Sequence, residues 1–462
     1  MSRKKTISTV VIGTLGAMVL AACSSNGGAP AASSAAAAET SGTTAASPCA
    51  QYGNITLTAG FSEAGEAIES GFKSLAAAFS QANPNVKVDV QAKDWTSSQE
   101  TIRLAMSSNN PPDVIQGNEG WSIDGVLWQA KLIANLDPYA KKYGWTDKFP
   151  ESALAVNRFS ADGKQLGTGN LVALPQALQY VGVFYNKDVL AQIGITDPTT
   201  LDNKTAFLAA LDKAKAAGLL PVMLGDSDKW PALHNLSLFN GWYENPDTIN
   251  KWVFNTAGTT YDTPGRLKAS TDFQDWMKSG YFNKDALATS FADATSRFGK
   301  GESAFFITGT WALGDVSKAL GDKAGFMLFP AGDTGKHEAV GGYSLPFAMS
   351  SNTKYPDCAA DFINFITTSD QAIQAQIAAG RPSATKSGLD AKVTDPLLAQ
   401  MISEYKRLNA DSGLFNWEDW PTPTMLTYSG QEAQKLLSGE LTPQAYNTEI
   451  QKNWSDYMAT RG

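Results

Sequence analysis

Histidine and cysteine are scarce in this chain. Its 462 residues contain two His, His234 and His337, and three Cys, Cys23, Cys49 and Cys358. No C-x-x-C, H-E-x-x-H or EF-hand spacing occurs, so neither a dedicated zinc nor a dedicated calcium site is expected, and no cofactor is implied. No P-loop G-x-x-x-x-G-K-[ST] is present, so the chain is not expected to hydrolyse ATP itself. No G-x-S-x-G elbow suggests a serine hydrolase. Asp and Glu are plentiful, but no motif pins the two facing carboxylates a glycosidase needs. Basic residues are outnumbered, 37 to 45, for a formal net charge of −8. With no basic stripe, this balance argues against nucleic acid as a partner. After the N-terminus there is no second apolar run long enough for a transmembrane helix.

What is present begins with a leader. Arg3, Lys4 and Lys5 precede an apolar run, residues 7–20, that is the length of a signal-peptide core. Leu20-Ala21-Ala22-Cys23 follows and resembles the bacterial lipobox, in which the thiol is acylated after cleavage. A diacylglyceryl Cys23 would anchor the mature protein stably, because more than one acyl chain is engaged. Residues 24–48 are almost wholly Ala, Ser, Gly and Thr, which cannot bury a core, and read as a flexible tether. Such a coil spans about 25–30 Å root-mean-square. The chain is therefore expected to be extracytoplasmic and lipid-anchored at the outer face of the cell membrane. Outside the cell, Cys49 and Cys358 are a disulfide candidate; the alternative is two free thiols.

The body exceeds one usual core, so two domains are expected. A strand at residues 55–58 precedes a helix whose Ile68, Phe72, Leu75 and Phe79 share one face. Asn83-Pro84 stops it, and Val86, Val88 and Val90 alternate as in a half-buried strand. Ser97 with Glu100 reads as a capping box for the next helix, followed by a short strand at Val114-Ile115. The alternation restarts with strands at 171–174, 183–185, 221–224, 304–307 and 326–329 and helices near 207–214 and 267–277. The remainder reads as helix: 359–366, 371–377, 397–408, 426–437 and 443–454. Strand–helix alternation of this kind is the pattern of α/β units with parallel strands, which bind ligands at the carboxyl ends of their strands. Two such units would enclose a cleft.

Several segments resemble the extracytoplasmic solute-binding proteins of carbohydrate ABC importers, the family 1 group that includes maltose-binding protein. They are Val172-Ala173-Leu174-Pro175 with Phe184-Tyr185-Asn186-Lys187-Asp188, then Leu211 to Pro221 with Lys213 and Gly218. The fullest match is Phe298-Gly-Lys-Gly-Glu-Ser-Ala-Phe-Phe-Ile-Thr-Gly-Thr-Trp311, and Gly341-Gly342-Tyr343 and Leu437-Ser-Gly439 with Leu441-Thr-Pro443 follow. Position 306 is Phe where the family often has Met, and Arg381 stands where an apolar residue is usual. The resemblance implies a two-lobed, type II periplasmic-binding-protein fold: α/β lobes joined by crossing strands, with a helix-rich C-terminal region. With the signal peptide at 1–22 and the lipid-anchored tether at 23–48 as read above, it places lobe 1 at 49–178 plus 341–387 and lobe 2 at 179–340 plus 388–462. It implies a carbohydrate ligand, the transmembrane subunits of an ABC permease as partners, a monomer, and no enzymatic activity.

A sugar has an apolar CH face, which suits a flat ring system, and a hydroxyl rim, which suits carboxylates and amides. An unmatched polar group in a dry cleft costs about 1–3 kcal/mol, and this is a source of specificity. Trp311 is the first candidate for stacking, since the family motif puts an aromatic side chain in the cleft there. Trp230 reads as cleft wall or lobe packing, and Trp417 and Trp420 as wall contributed by the helical region. Asn118, Glu119 and Trp121 follow a strand end, as does Glu63. Gln179 and Tyr180 fall at the first crossing and Gly342 and Tyr343 at the second, and Arg381 is a further candidate. Trp252, Trp276 and Trp454 read as helix-face packing. The expected function is capture of a disaccharide or short oligosaccharide; the alternatives are a polyamine, metal or peptide receptor, or a secreted glycosidase.

Overall fold

The computed structural model describes residues 47–63 and 66–461. The signal segment, Cys23 and residues 24–46 of the tether lie outside the described residues. The body begins with a parallel pair, β1 (Ile55–Phe61) and β2 (Val86–Ala92). In β1 the odd positions Ile55, Leu57, Ala59 and Phe61 are all buried, as the two-residue period of a strand requires. The connecting helix Glu66–Ala82 buries Ile68, Phe72, Leu75 and Phe79, the face its sequence spacing predicts. Phe72 stacks between Phe61 and Phe347, with ring centroids 4.4 and 5.3 Å away. Each of these aromatic side chains contributes about 1.5–3 kcal/mol by leaving water.

The next helix, Trp95–Met106, starts earlier than the Ser97–Glu100 reading. Its cap is Asp94, whose carboxylate accepts the Ser97 N–H at 2.9 Å. A carboxylate there satisfies an orphan donor and also meets the positive end of the helix dipole, so it displaces Ser97 as the cap. Asp94 is correspondingly held below the usual carboxylate range, first by its hydrogen bonds to Ser97. The chain then enters β3 (Val114–Gln116), parallel to β1.

The expected strand at 171–174 is two elements. In β5 (Asn170–Leu171) the chain pairs with β4 (Arg158–Phe159) as a separate ribbon. It then joins the first sheet as β6 (Ala173–Leu174). After Pro175-Gln176 it enters β7 (Ala177–Asn186), ten residues buried throughout. The second sheet is completed by β8 (Leu220–Met223), β9 (Ser303–Gly309), β10 (Ala324–Met327) and β11 (Ala339–Ser344). The return to the first sheet is β12 (Phe347–Met349), antiparallel to β3 and β6, and β13 (Leu414–Phe415) closes the far edge of the second.

The first sheet therefore runs β2-β1-β3-β12-β6 and the second β13-β11-β7-β9-β8, with β10 also on β7. The chain passes between the sheets three times, from β6 to β7, from β11 to β12, and from β12 through a run of helices to β13. Near the first two passages β7 and β11 lie side by side, with Gln179 opposite Gly342 and Leu178 opposite Tyr343.

Each sheet has its own apolar cluster. Leu57, Phe72, Phe347 and Phe362 belong to that of the first. Phe184, Phe239, Trp242, Trp276 and Phe329 belong to that of the second, which extends into Ile115, Trp121 and Leu127. A disulfide joins Cys49 to Cys358, 309 residues apart, and ties residues 48–52 to the helix Pro356–Thr368. The C-terminal helix Met425–Ser438 packs on Trp230–Gly241, Pro264–Lys278 and Pro443–Ala459. Trp252, Trp276 and Trp454 are buried packing residues.

Candidate functional site

The parallel strands of the first sheet deliver three side chains from their carboxyl ends. Glu63 follows β1, Trp95 opens the helix after β2, and Asn118 follows β3. The second sheet presents Trp311 just beyond β9. Trp311 lies against Gly309, where a Cβ would meet the indole at 1.9 Å, so only glycine lets the ring lie across the strand end. Trp230 opens its helix with Pro231 behind it, and the Asp226 carboxylate accepts the Ala232 N–H at 2.7 Å, which fixes that start. These residues meet around one open cleft, whose empty space counted out into solvent is about 650 Å³. Its wall is Glu63, Trp95, Asn118, Gln179, Trp230, His234, Phe291, Trp311, Leu345, Trp417, Asp419 and Leu426.

One side of the wall is a run of rings. Trp230 lies 5.7 Å from Trp311 and 4.8 Å from Phe291, and Trp311 lies 5.9 Å from Trp417. His234, one helical turn after Trp230, sits among them, 4.8 Å from Trp417 and 5.7 Å from Trp311. Burial pushes its imidazole down to about 3, so at neutral pH it is an uncharged ring. Trp417 is held by its neighbour Glu418, which is paired with buried Arg266 at 2.8 Å and accepts from Asn240 Nδ2 at 2.8 Å. Arg266 in turn lies 3.9 Å over the Tyr261 ring.

The polar side is carboxylates and amides. Glu63 accepts four donors. Gln179 Nε2 (2.6 Å) and an Arg381 guanidinium N–H reach Oε1, and Gln116 Nε2 (3.1 Å) and Gln176 Nε2 (3.0 Å) reach Oε2. Asp419 is pushed up to about 7 by burial, which a hydrogen bond from Asn118 only partly offsets. Behind it, burial raises Glu119 well above the usual carboxylate range, and the nearby Asp124 raises it further. Among the described residues no group of three or more His, Cys, Asp or Glu is placed to hold a metal ion.

Of the residues singled out from sequence, Glu63, Asn118, Gln179, Trp230, Trp311 and Trp417 come together here. The others do not reach the wall. Trp121 is fully buried, edge-on to Phe159 at 5.1 Å and covered by Arg461 at 4.0 Å. Trp420 is also fully buried, against Gly120, where a Cβ would clash at 2.4 Å; the two loops are zipped by a bond from Trp121 N to Trp420 O. Glu119 accepts the Leu345 N–H at 3.2 Å instead of facing the cavity. Tyr180 neighbours Gln179 on a strand, so it points to the opposite face, where its hydroxyl donates to Met401 O at 2.5 Å. Gly342 is spent on pairing with Gln179, and Tyr343 is buried in the first sheet's cluster. Arg381 is buried behind Glu63.

Six wall residues escaped the sequence reading: Trp95, His234, Phe291, Leu345, Asp419 and Leu426. Two carried a usable signal. An Asp94 cap would have put Trp95 in the first turn after a strand end, and His234 is four residues beyond Trp230 on one helix face. Leu345 is a non-glycine residue with φ 53°, a conformation set by the tertiary passage between sheets.

The family model for bacterial extracellular solute-binding protein matches residues 64–373. An uncharacterized ABC transporter extracellular-binding protein of Pyrococcus horikoshii is 24% identical over 296 residues, 62% of this chain and 62% of its own length. A probable sugar-binding periplasmic protein of Mesorhizobium japonicum is 30% identical over 207 residues, 41% of this chain and 42% of its own length. The multiple sugar-binding protein of Streptococcus mutans is 22% identical over 319 residues, 65% and 69% respectively. The chain thus spans under two thirds of the first two relatives. Among solved structures, a chitin oligosaccharide binding protein superposes with TM-score 0.76 at 20% identity, over 88% of this chain and 99% of its own. RafE in complex with raffinose superposes with TM-score 0.68 at 17% identity, over 87% and 99%. These likenesses establish the fold as that of type II periplasmic binding proteins.

Proposed function

The chain belongs to the bacterial extracellular solute-binding proteins, and from that premise we propose that it is the sugar receptor of an ABC importer. It captures a disaccharide or short oligosaccharide in the cavity between the two sheets and delivers it to the permease. The observation that carries this reading is the wall itself: Trp311 within 6 Å of both Trp230 and Trp417, with amides and carboxylates on the same wall. Rings accept the CH face of a sugar, and Asn118, Gln179 and Asp419 suit its hydroxyls. The names of the Mesorhizobium and Streptococcus relatives agree with it.

The three passages between sheets form the hinge. Lobe 1 is residues 49–178 plus 341–387, and lobe 2 is residues 179–340 plus 388–462. Closure of the lobes buries the ligand and offers the permease a changed surface. Cys23, acylated after cleavage, keeps the receptor at the outer face of the membrane, where the tether gives it a high local concentration around a fixed permease. The receptor works as a monomer and returns its ligand unaltered.

The test is a thermal-shift screen of neutral mono-, di- and trisaccharides against polyamines, metal ions and short peptides. A ligand that binds only the folded state raises the melting temperature with its excess over Kd. A sugar hit whose chromatogram is unchanged after overnight incubation supports the proposal. A shift from polyamines, metals or peptides alone, or cleavage of the sugar, sinks it.

A further inference from the structure

The cavity has no positive charge of its own. Among the described residues no Lys or Arg lines it, and its acidic groups are Glu63 and Asp419. One buried cation is bonded directly to a wall residue. Arg381 is 1% exposed, and its guanidinium is bound to Glu63 Oε1. Glu63 is in turn occupied by Gln179, Gln116 and Gln176. A carboxylate offers about four lone-pair sites, and these four donors, all belonging to the protein, fill them. Glu63 therefore has little left to offer a ligand hydroxyl. What it does is neutralise Arg381 at the wall and stand between that cation and the cavity.

A ligand carboxylate, sulfate or phosphate entering this space would lose water and meet rings, amides and an aspartyl group. A buried anion is tolerated when a cation pairs with it, and the buried cations next to this wall among the described residues, Arg381 on Glu63 and Arg266 on Glu418, already have partners. We propose that the cavity selects sugars lacking an acidic group, and that Glu63 sets this specificity by keeping Arg381 from the ligand. The inference rests on the sugar-receptor reading and adds the charge class of the sugar.

Calorimetry at pH 7.5 on the full mature chain tests it with probe pairs differing by one carboxylate. These are glucose with glucuronic acid, galactose with galacturonic acid, and xylobiose bearing a glucose branch with xylobiose bearing a glucuronic acid branch. In any pair that binds, the acidic member is expected to be at least about 100-fold weaker. Glu63→Gln, which removes the negative charge from Arg381, should narrow that gap at least about tenfold by improving the acidic member. Adding Arg381→Gln to it should restore the gap. Arg381→Gln alone should leave the gap as wide as in the unaltered protein, and it keeps the idea testable if Glu63→Gln does not fold. Equal affinity within a pair, a gap unmoved in folded Glu63→Gln, or a gap narrowed by Arg381→Gln alone would overturn the proposal. Binding of only the acidic members leaves the sugar receptor standing and removes this inference. Binding of no sugar removes both.

Discussion

Trp311 owes its position to a neighbour two residues away. Gly309 leaves room for the indole, and the ring then meets Trp230 and Trp417. Trp311→Ala should lower sugar affinity at least about tenfold in calorimetry, equivalent to about 1.4 kcal/mol, while the melting temperature of the free protein changes little, since the ring is only half-buried. Unchanged affinity would remove Trp311 from the site. Gly309→Ala should weaken binding in the same direction, because the new Cβ must push the indole aside. This part of the site was legible in the sequence, as an aromatic at a strand end after a glycine. Trp121, after Gly120, has the same local look, yet it and Trp420 pack inward, because their loops bind each other through Trp121 N and Trp420 O. A contact between segments 299 residues apart leaves no periodic trace in either one.

Among the elements, those with a strong period were readable and those held by distant partners were not. The helix Glu66–Ala82 and strand β1 follow from their own apolar spacing. By contrast, β4 and β5 are two residues each and exist only through their mutual pairing. The Trp95–Met106 helix lies between these cases, readable in its body and misread at its start. Its cap has a functional consequence, because Trp95 is its first residue and part of the wall. Asp94→Ala should cost about 1 kcal/mol in urea unfolding and also weaken sugar binding, because the first turn frays. Stability loss with affinity intact would show that Trp95 is not needed. The disulfide acts on an element away from the cavity: neither Cys49 nor Cys358 lines it. Cys49→Ser/Cys358→Ser should therefore lose about 2–4 kcal/mol of stability and keep its sugar affinity. A loss of affinity would tie the helix Pro356–Thr368 to the site.

At the scale of the molecule, the packed sheets and helices leave several carboxyls buried, and this has a pH signature. Burial pushes Asp226, Glu338 and Asp419 up to about 7 and raises Glu119 and Asp124 well above their ordinary range. Unfolded Asp and Glu titrate near about 4. Between about pH 4 and pH 7 the folded protein thus holds protons on these groups that the unfolded chain has released. Stability then falls as pH rises through that window. His234 opposes this. Lowered to about 3, it stays neutral when folded while the unfolded imidazole gains a proton below about pH 6.5, so it removes stability as pH falls. Five carboxyls outweigh one imidazole. Asp94, Asp202 and Asp285, whose values are lowered, cost stability only as pH falls below about 4. The melting temperature of the sugar-free protein should therefore be higher at pH 5 than at pH 7.5 and decline again toward pH 3. Asp419→Asn should flatten the slope between pH 5 and 7.5, and His234→Gln should steepen it. A melting temperature that rises steadily from pH 5 to pH 7.5 would mean that these carboxyls are charged in the folded protein and that the convergence of segments around Asn118 and Asp419 is wetter than their burial implies.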